Sequence, residues 1–402
     1  MDALKGWTAA QKHVVAASFL GWTLDAFDFF LMVFVIKDVA REFGVGREDV
    51  ALAITLTLAF RALGAFAFGR LADRYGRRPV LMLDVALYSV LGFMTAFAPN
   101  LTAFLVIRAL FGVAMGGEWG VGASLTLESV KPQSRGFVSG LLQSGYPTGY
   151  LFASLVYGLA YSTIGWRGLF MVSLAPALLI LYIRSSVPES PGWTAQRAAS
   201  TTIAGILRRD WKIALYGVVL MTAFNFFSHG TQDLYPTFLQ VQHGFGPHTV
   251  GAIAVVYNIG AIVGGLSFGM LSQRLGRRRA IVTAALLALP AVWLWAFSQT
   301  AALLALGAFL VQFFVQGAWG VIPAHLNELS PAEARGAFPG TVYQLGNFIA
   351  SSNAALQAHI AERSGGDYSA ALASVAVVAA LAIVTLTLAG REARHIEMAV
   401  RP

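Results

Sequence analysis

Apolar stretches of about 20 residues recur along the entire length of this chain. A helix rises about 1.5 Å per residue, so about 20 apolar residues cross the hydrocarbon core of a lipid bilayer. Of the 402 residues, 57% are apolar and 12% are charged, and no long stretch is polar enough to cover such a core in water. The sequence therefore predicts an all-α membrane protein embedded in a lipid bilayer rather than a soluble helical domain.

Twelve of these stretches are predicted to be transmembrane helices. A polar connection at residues 191–210 separates the first six from the last six. The chain is thus predicted to form an N-terminal six-helix bundle at 1–190 and a C-terminal six-helix bundle at 211–402. The predicted spans are 13–36, 49–70, 79–98, 101–125, 136–161, 168–187, 211–239, 248–271, 280–298, 301–324, 337–361 and 368–389.

The basic residues are distributed unevenly between the two ends of these spans. With both termini and the connection in the cytoplasm, 21 of the 28 Lys and Arg residues lie on the cytoplasmic side and five on the other side. The positive-inside rule favours this orientation. The net charge of +8 then reflects membrane orientation, and we expect no nucleic-acid partner. We expect a monomer in a bacterial inner membrane. We expect no cleavable signal peptide, because the first apolar segment carries two aspartates.

The two halves repeat each other at an offset of 200 residues. The loop from Gly69 to Arg78 reads GRLADRYGRR, and its copy from Gly269 to Arg278 reads GMLSQRLGRR. Several matches at one offset indicate two parallel six-helix halves, an arrangement that places a solute site near the bilayer midplane where the halves meet. Further matched pairs are Trp119-Gly120 with Trp319-Gly320, Glu128 with Glu328, Arg135-Gly136 with Arg335-Gly336, and Asp25 with Asn225.

The polar residues inside the predicted spans are mostly not repeated. A residue that the packing of a repeat requires should recur in its mate, so we assign the unmatched intramembrane charges to chemistry and the matched loops to scaffold and gate. The unmatched residues include Arg61, Asp84, Arg108 and Glu118, which align with alanines, together with Asp28, His229 and Asp233.

A polar stripe lies in predicted span 7. Asn225, His229 and Asp233 are spaced at i, i+4 and i+8, so they lie on one face of a helix, and Gln232 lies one position off that face. An amide, an imidazole and a carboxylate in hydrocarbon are costly and mark functional sites. The stripe is predicted to hold a carboxylate-bearing solute and to carry a proton.

Arg61 in the middle of span 2 is the first candidate for binding the solute's carboxylate. An arginine at mid-membrane costs at least about 2.5 kcal/mol, and its planar guanidinium matches a carboxylate through two hydrogen bonds. The alternative is a structural ion pair with an acid on a neighbouring helix. Gln312, one turn before Gln316 in span 10, is predicted to complete the site or else to join two helices.

Four further residues are candidates for proton coupling. Asp25 and Asp28 lie three residues apart on one face of span 1, and two carboxylates so close do not both ionise easily. Glu118 in span 4 either titrates or is a permanent partner of Arg108 or Arg61. Arg108, also in span 4, is the fourth candidate. Gly112 and Gly116 follow it at four-residue steps and predict close contact with a neighbouring helix.

The repeated loops are predicted to close the cytoplasmic side through ion pairs between the halves. Glu128 with Arg135, and Glu328 with Arg335, are the expected partners of these loops. Gln273 replaces Asp73 in the second copy, so the two gates should differ in strength. The predicted gate comprises Gly69, Asp73, Arg74, Arg77, Arg78, Glu128, Arg135, Arg274, Glu328 and Arg335.

The loop motif, its copy and the sequence PESPGW at 188–193 resemble the Major Facilitator Superfamily, and the resemblance covers the whole chain. Within it, the pattern NxxSHxTQDxxPT at 225–237 resembles the signature of the lactate/pyruvate:proton symporters of the sialate:proton symporter family. This resemblance implies proton-coupled uptake of short monocarboxylates by alternating access. It also implies roles in substrate recognition and transport for Asn225, His229 and Asp233. Arg108 and the Asp25–Asp28 pair resemble elements linked to proton coupling and organic-acid transport in related transporters.

Other functions remain open at this point. The chain could carry sialic acid or an aromatic acid with a proton, exchange a drug for a proton, or act as a non-transporting nutrient sensor. The sequence holds no nucleotide-binding loop, nucleophile elbow or metal-ligand spacing, and it has no cysteine. We therefore expect neither an enzyme nor a bound cofactor or metal.

Overall fold

The computed structural model describes residues 6–196, 203–394, 396 and 398 of this chain. Part of the predicted connection, 197–202, lies outside the described residues, as do Lys5, Arg197 and Arg401 of the charge count. The described residues form helices, turns and loops and no strand, which confirms the predicted all-α fold. In the first half the helices are α1 (Ala9–Phe43), α2 (Arg47–Tyr75), α3 (Arg77–Thr95), α4 (Leu101–Ser129), α5 (Arg135–Val172) and α6 (Leu178–Ser186).

A short helix, α7 (Pro191–Gln196), follows the first half. Ten segments of the described chain are long and apolar enough to cross a membrane. One of them runs over 55 residues and contains predicted spans 5 and 6. The second half contains α8 (Ile203–Gln232), α9 (Tyr235–Val241), α10 (Pro247–Leu275), α11 (Arg277–Phe297), α12 (Ala301–Leu329), α13 (Phe338–Ala350), α14 (Asn353–Arg363) and α15 (Tyr368–Ala389).

The sequence repeat is visible in how the helices begin and end. Asn100 caps α4 by accepting from the backbone nitrogen of Ala103 at 2.9 Å, and Thr300, 200 residues later, caps α12. Gly76 and Gly276 join α2 to α3 and α10 to α11 with φ of 114° and 96°. Glycine adopts these backbone conformations readily because it has no Cβ. The tight turns of both repeated loops therefore depend on matched glycines.

Four predicted spans differ from the observed helices. Predicted span 6, 168–187, is divided between the end of α5 and α6, which begins at Leu178. The helix of span 5 continues to Val172, with a kink at Gly165, where φ is 62°. Predicted span 7 was continuous, but α8 ends at Gln232 and α9 begins at Tyr235, where Pro236 lacks a backbone donor and fits the first turn of a new helix. Predicted span 11 is divided into α13 and α14 at residues 351–352.

The halves meet along two pairs of helices at corresponding positions. α2 packs against α13, and α5 packs against α10. Within the first half α1 packs on α5 and α2 on α4, and within the second half α10 packs on α12 and α8 on α13. Large apolar side chains cover the outer surface, among them Leu159, 75% exposed, and Trp293, 71% exposed. Exposed apolar side chains of this kind fit a hydrocarbon environment and leave the intramembrane charges in the interior of the molecule.

Candidate functional site

Close packing of α4 on α2 fixes the position of Arg61. A Cβ atom on Gly116 would lie 2.1 Å from the backbone oxygen of Arg61, and one on Gly112 would lie 2.3 Å from that of Thr57. Thr57 Oγ1 also donates to the backbone oxygen of Arg108 at 3.0 Å. The predicted contact along the glycine ridge is confirmed, and it holds the backbone of α2 directly against α4.

The guanidinium of Arg61 lies between the two halves. Its side chain is buried, and the guanidinium carbon is 5.6 Å from the centre of the Trp22 ring on α1. The side-chain oxygen of Gln344 on α13, turned toward the guanidinium, accepts from Nε and Nη2, both at 3.2 Å. Among the described residues no carboxylate lies within ion-pair distance of Arg61, although the buried Asp25 and Glu118 act on its charge from farther away. The structural ion pair that the sequence left open is not seen, and the charge faces an aromatic ring and an amide.

The predicted stripe on α8 faces α13. His229 Nδ1 lies 3.2 Å from Asp233 Oδ1, and His229 Nε2 lies 2.9 Å from the side-chain amide of Asn347. Asp233 is just beyond the last residue of α8, but its backbone nitrogen still donates to the His229 oxygen at 3.0 Å, so the stripe keeps its helical spacing. Asn225 Nδ2 donates to the backbone oxygens of Met221, at 2.7 Å, and Tyr343, at 3.5 Å.

Exposure changes sharply through this site. The side chains of His229 and Asp233 are 27% and 39% exposed, whereas Arg61 is 1% exposed. Tyr146 on α5 stacks on Trp22, with ring centres 5.5 Å apart, and interacts electrostatically with both Arg61 and Asp233. Groups from both halves therefore surround one site, and the imidazole–carboxylate pair lies at its accessible end.

Gln232 and Gln312 form a separate polar contact between α8 and α12. Gln232 Nε2 donates to Gln312 Oε1 at 2.9 Å, and Gln312 Nε2 donates to Thr231 Oγ1 at 3.0 Å. Gln316 Nε2 donates to Ser228 Oγ at 3.1 Å. These amides join two helices of the second half, on a different face of α8 from the His229–Asp233 pair.

Four buried carboxyl groups lie within the first half, and two of them, Asp25 and Asp28, interact electrostatically with Arg108. Asp28 interacts with the hydroxyl of Ser173. Asp25, Asp84 and Glu118 make no hydrogen bond to any residue that the structure describes, and the same is true of the Arg108 guanidinium. That guanidinium lies 4.0 Å from the ring centre of Phe111 and 5.7 Å from that of Phe170. Asp84 was not among the predicted site residues, although its alanine mate had marked it as unmatched. The four carboxyl groups are those of Asp25, Asp28, Asp84 and Glu118.

Residues of the predicted gate join the two halves at one end of the molecule. Asp73 Oδ1 and Oδ2 accept from the backbone nitrogens of Gly336, at 2.8 Å, and Ala337, at 3.2 Å, in the other half. A Cβ on Gly69 would lie 2.4 Å from the Ala337 Cα. Arg77 joins Asp73, at 2.7 Å, to Glu128, at 3.2 Å.

The glutamates of the gate face the arginines of the opposite half. Glu128 lies 3.9 Å from Arg335, and Glu328 lies 4.0 Å from Arg135. Arg277 donates to both oxygens of Glu328 at 2.9 Å. The charge network is buried and crosses the interface at both repeat positions, rather than pairing each glutamate with the arginine of its own repeat.

Three predicted gate residues have their described contacts within their own halves. Arg78 donates to Glu189 through its backbone nitrogen and to the backbone oxygen of Arg184 through its side chain. The Arg74 guanidinium lies 5.3 Å from the Tyr75 ring, and the Arg274 oxygen accepts from Arg394. Only part of the predicted set therefore bridges the halves.

Three aromatic rings lie between the central site and the closed end. Tyr343 on α13 contacts Trp119 of the first half, with ring centres 4.8 Å apart, and Trp319 of its own half, at 5.3 Å. The two tryptophans are the matched pair of the sequence repeat. Together with Tyr343, these tryptophans form a layer of aromatic rings between the central site and the predicted gate.

Gln344 and Asn347 on α13 were not predicted from the sequence as site residues. Their repeat mates are Ser144 and Pro147. The unmatched intramembrane charges were assigned to chemistry, and the same rule applied to amides would have found both residues. The rule was applied to charged residues and to the stripe, whereas these are neutral amides in an apolar segment.

Comparison with known proteins agrees with this architecture. A family model described as Major Facilitator Superfamily matches residues 18–246 and 218–397. A carboxylic acid transporter protein homolog of Saccharomyces cerevisiae is 30% identical over 86% of this chain, which spans 60% of that relative's length. The sialic acid transporter NanX of Escherichia coli is 26% identical over 84% of each chain. The putative niacin/nicotinamide transporter NiaP of Bacillus subtilis is 26% identical over 97% of this chain and 98% of its own.

Solved structures share the fold at low sequence identity. The proton:xylose symporter XylE superimposes with a TM-score of 0.71 at 18% identity, over 92% of this chain and 94% of its own. The human organic anion transporter MFSD10 superimposes with a TM-score of 0.69 at 18% identity, over 93% of this chain and 99% of its own. With its two similar helical halves, its repeated loops and these matches, the chain is an integral membrane protein that belongs to the Major Facilitator Superfamily.

Proposed function

We propose that this protein is a symporter that moves an organic acid together with a proton by alternating access. The observation that carries the proposal is the environment of Arg61. Its buried positive charge has no carboxylate within ion-pair distance among the described residues, although Asp25 and Glu118 act on it from farther away. It lies in the same site as the His229–Asp233 pair. A solute carboxylate would supply the missing counter-charge through two hydrogen bonds. The named substrates of relatives, which include carboxylic acids and sialic acid, support this substrate class.

The mechanism follows from the order of exposure. A proton reaches His229 or Asp233 first, because these side chains lie at the accessible end. The carboxylate then binds the deeper guanidinium of Arg61, and the proton offsets the charge of the anion, so the loaded site carries no added charge through the bilayer. Rocking of the halves then requires the gate contact between Asp73 and Gly336 to open.

The remaining predicted residues have supporting roles in this scheme. Asn225 orients the stripe against Tyr343, and the Gln232–Gln312 contact keeps α8 against α12. The buried acids of the first half act as further proton sites whose charge Arg108 offsets. These acids are Asp25, Asp28 and Glu118.

Within this class we propose short monocarboxylates, lactate and pyruvate, as substrates. The motif at 225–237 supports this choice, as do the stacked rings of Trp22 and Tyr146 that lie against Arg61. A solute with one carboxylate and few other polar atoms needs one guanidinium and little further hydrogen bonding.

A second candidate is an aromatic monocarboxylate. Rings from α1 and α5 form a continuous cluster beside Arg61: Phe30 contacts Tyr146 at 5.0 Å and Tyr150 at 4.9 Å between ring centres, and Tyr146 continues it to Trp22. Aromatic side chains favour stacked or edge-on contact with a planar ring. The same guanidinium would bind the carboxylate of such a solute.

The closed end is proposed to face the cytoplasm of a bacterial cell, with the protein acting as a monomer in the inner membrane. The excess of basic residues at that end supports this orientation. The two halves, 1–190 and 211–402, are proposed to move as separate bundles joined by the connection at 191–210.

Uptake by purified protein in liposomes tests the proposal. Labelled lactate should accumulate when an inward proton gradient is imposed and should stop accumulating when a protonophore removes the gradient. Benzoate and sialic acid serve as competitors. Inhibition by benzoate together with poor lactate uptake would favour the aromatic candidate, and acid-independent uptake of every acid would overturn proton coupling.

A further inference from the structure

Two buried amides on α13 connect Arg61 to His229. One end of the Gln344 amide lies 3.2 Å from both Nε and Nη2 of Arg61, and its other end lies 3.3 Å from Asn347 Nδ2. The other end of the Asn347 amide lies 2.9 Å from His229 Nε2, and His229 Nδ1 lies 3.2 Å from Asp233. Gln344 and Asn347 are buried. A continuous line of hydrogen-bonding groups thus runs from the buried guanidinium to the accessible carboxylate.

When His229 is neutral, the chemistry of Arg61 fixes which group donates and which accepts in each of these hydrogen bonds. A guanidinium only donates, so Gln344 presents its oxygen to Arg61 and its nitrogen to Asn347. Asn347 must then present its oxygen to Gln344 and its nitrogen to His229. His229 Nε2 therefore accepts, and the single ring proton lies on Nδ1, where it is donated to Asp233.

Protonation of His229 reverses the donor and acceptor roles of the two amides in these hydrogen bonds. The imidazolium donates from both nitrogens, so Asn347 must turn its oxygen to Nε2 and its nitrogen to Gln344. Gln344 then presents its oxygen to Asn347 and its nitrogen to Arg61, where donor faces donor. A buried donor without an acceptor is unfavourable. Nε and Nη2 of Arg61, together with the Gln344 nitrogen, then lack an acceptor, which a carboxylate can supply.

We propose that Gln344 and Asn347 form a relay that couples the proton on His229 to anion binding at Arg61. With His229 neutral, the Gln344 oxygen occupies the donors of Arg61 and competes with the solute. With His229 protonated, those donors are free and Gln344 adds a third. Proton and anion therefore strengthen each other's binding, as reciprocal linkage requires.

Other charged groups near His229 do not replace this relay. The charged groups that act on His229 are Asp233 on its own helix and Arg61 on α2. Tyr146 on α5 and Tyr257 on α10 act on Asp233. The described amide side chains that α12 and α14 place against this part of α8 are neutral: Gln312 and Gln316 of α12, and Asn353 and Gln357 of α14.

This inference rests on the proposed function, and proton uptake on ligand binding separates the two. Detergent-purified protein is titrated calorimetrically with lactate, nicotinate, benzoate and sialic acid in two buffers of different ionisation enthalpy. For the acid that binds most tightly, wild type should take up about one proton per carboxylate bound near neutral pH. Its Kd should weaken at least about tenfold between pH 6 and pH 8, within the usual range of coupling between linked sites.

Two variants cut the relay while keeping side-chain volume: Gln344→Met and Asn347→Leu. Each should still bind the acid through Arg61 but with little proton uptake, and its Kd should become nearly independent of pH. Gln357→Met is the matched control, since this buried amide donates to the Gly230 backbone beside the relay without joining it. The control should keep the wild-type proton uptake. If one relay variant does not fold, the other carries the same test.

The outcomes are distinct. Loss of proton uptake in the relay variants, with retention in the control, supports the relay. Wild-type proton uptake in either folded relay variant overturns it and leaves the proposed function standing. Failure of wild type to bind any of the four acids, or binding without proton uptake, overturns proton-coupled acid binding itself.

Discussion

Asp73 on α2 accepts a hydrogen bond from the backbone nitrogen of Gly336 in the other half at 2.8 Å. At the equivalent position of the repeat, Gln273 Oε1 accepts from the backbone nitrogen of Gly136 at 3.1 Å. The same contact across the interface is thus made once with a carboxylate and once with a neutral amide. A hydrogen bond to an ionised acceptor is stronger than one between neutral groups, so we expect the two sides of the predicted gate to differ in strength.

Removing the carboxylate should open the gate more than removing the amide. Asp73→Ala deletes charge-assisted bonds of about 1.5–3 kcal/mol, whereas Gln273→Ala deletes a neutral bond of about 1 kcal/mol. The chain has no cysteine, so Ser139→Cys, at a buried position of the interface, gives a clean reporter. Maleimide labelling of that cysteine should accelerate about tenfold or more with Asp73→Ala, and less with Gln273→Ala. Equal rates in the two variants would contradict this asymmetry.

Arg61→Lys should weaken anion binding by about 10- to 100-fold, because an ammonium cannot present two parallel donors to a carboxylate. Binding to purified protein, followed by calorimetry with lactate or nicotinate, measures the change. Arg184→Lys at an exposed position serves as the control and should bind as wild type does. An unchanged affinity in Arg61→Lys would show that the guanidinium does not hold the solute.

Asp233→Asn should separate exchange from accumulation. The amide keeps the size of the side chain but neither carries a charge nor takes up a proton, so the imidazole of His229 loses its acidic partner at 3.2 Å. Acid-driven accumulation of the solute should fall at least about tenfold, a loss of about 1.4 kcal/mol of coupling. Exchange of internal for external solute at equal pH requires no net proton movement and should persist. Retained accumulation in this variant would remove Asp233 from the coupling machinery.

Asp367 should stabilise the start of α15 in a pH-dependent way. It accepts from the backbone nitrogen of Ser369 at 2.9 Å and from Gln242 Nε2 at 3.1 Å. Burial raises the pKa of this carboxyl, but the hydrogen bonds from Gln242 and Ser369 outweigh that effect and lower the pKa below its ordinary value of 3.8. Because the folded pKa lies below the unfolded one, the stabilisation is present above the unfolded pKa and is lost as pH falls through the folded value.

Asp367→Ala should therefore lower the free energy of unfolding by about 1 kcal/mol near neutral pH, and the difference from wild type should shrink below about pH 4. Thermal unfolding in detergent at several pH values measures it. A difference that does not change with pH would assign the effect to helix propensity rather than to the carboxylate cap.

The architecture could be predicted from the sequence because repeat matching and apolar length are both local signals. The matched Gly76 and Gly276 sit at equivalent turns, and Trp119 and Trp319 meet around one tyrosine. Helix breaks were less predictable. The end of α8 before Pro236 and the division at residues 351–352 occur inside continuous apolar stretches, where composition alone does not mark a boundary.

The stripe on α8 could be predicted because helical spacing fixes which residues share a face. What faces it could not, since tertiary packing decides which helix lies opposite. Gln232 was placed with the stripe, but it contacts Gln312 on α12, whereas His229 contacts Asn347 on α13. The partner of Arg61 likewise proved to be Gln344, a neutral residue more than 280 positions away in the chain.

The ring of Tyr343 belongs to both halves at once, since it contacts Trp119 across the interface and Trp319 within its own bundle. Any rocking that separates the bundles at the closed end must break the first contact and keep the second. The indole of Trp119 would then meet water while that of Trp319 stays packed. The chain has nine tryptophans, so the emission of Trp119 is obtained as the difference between the spectra of wild type and Trp119→Phe. That difference becomes an intrinsic optical signal of which way the transporter is open, readable without attaching a dye.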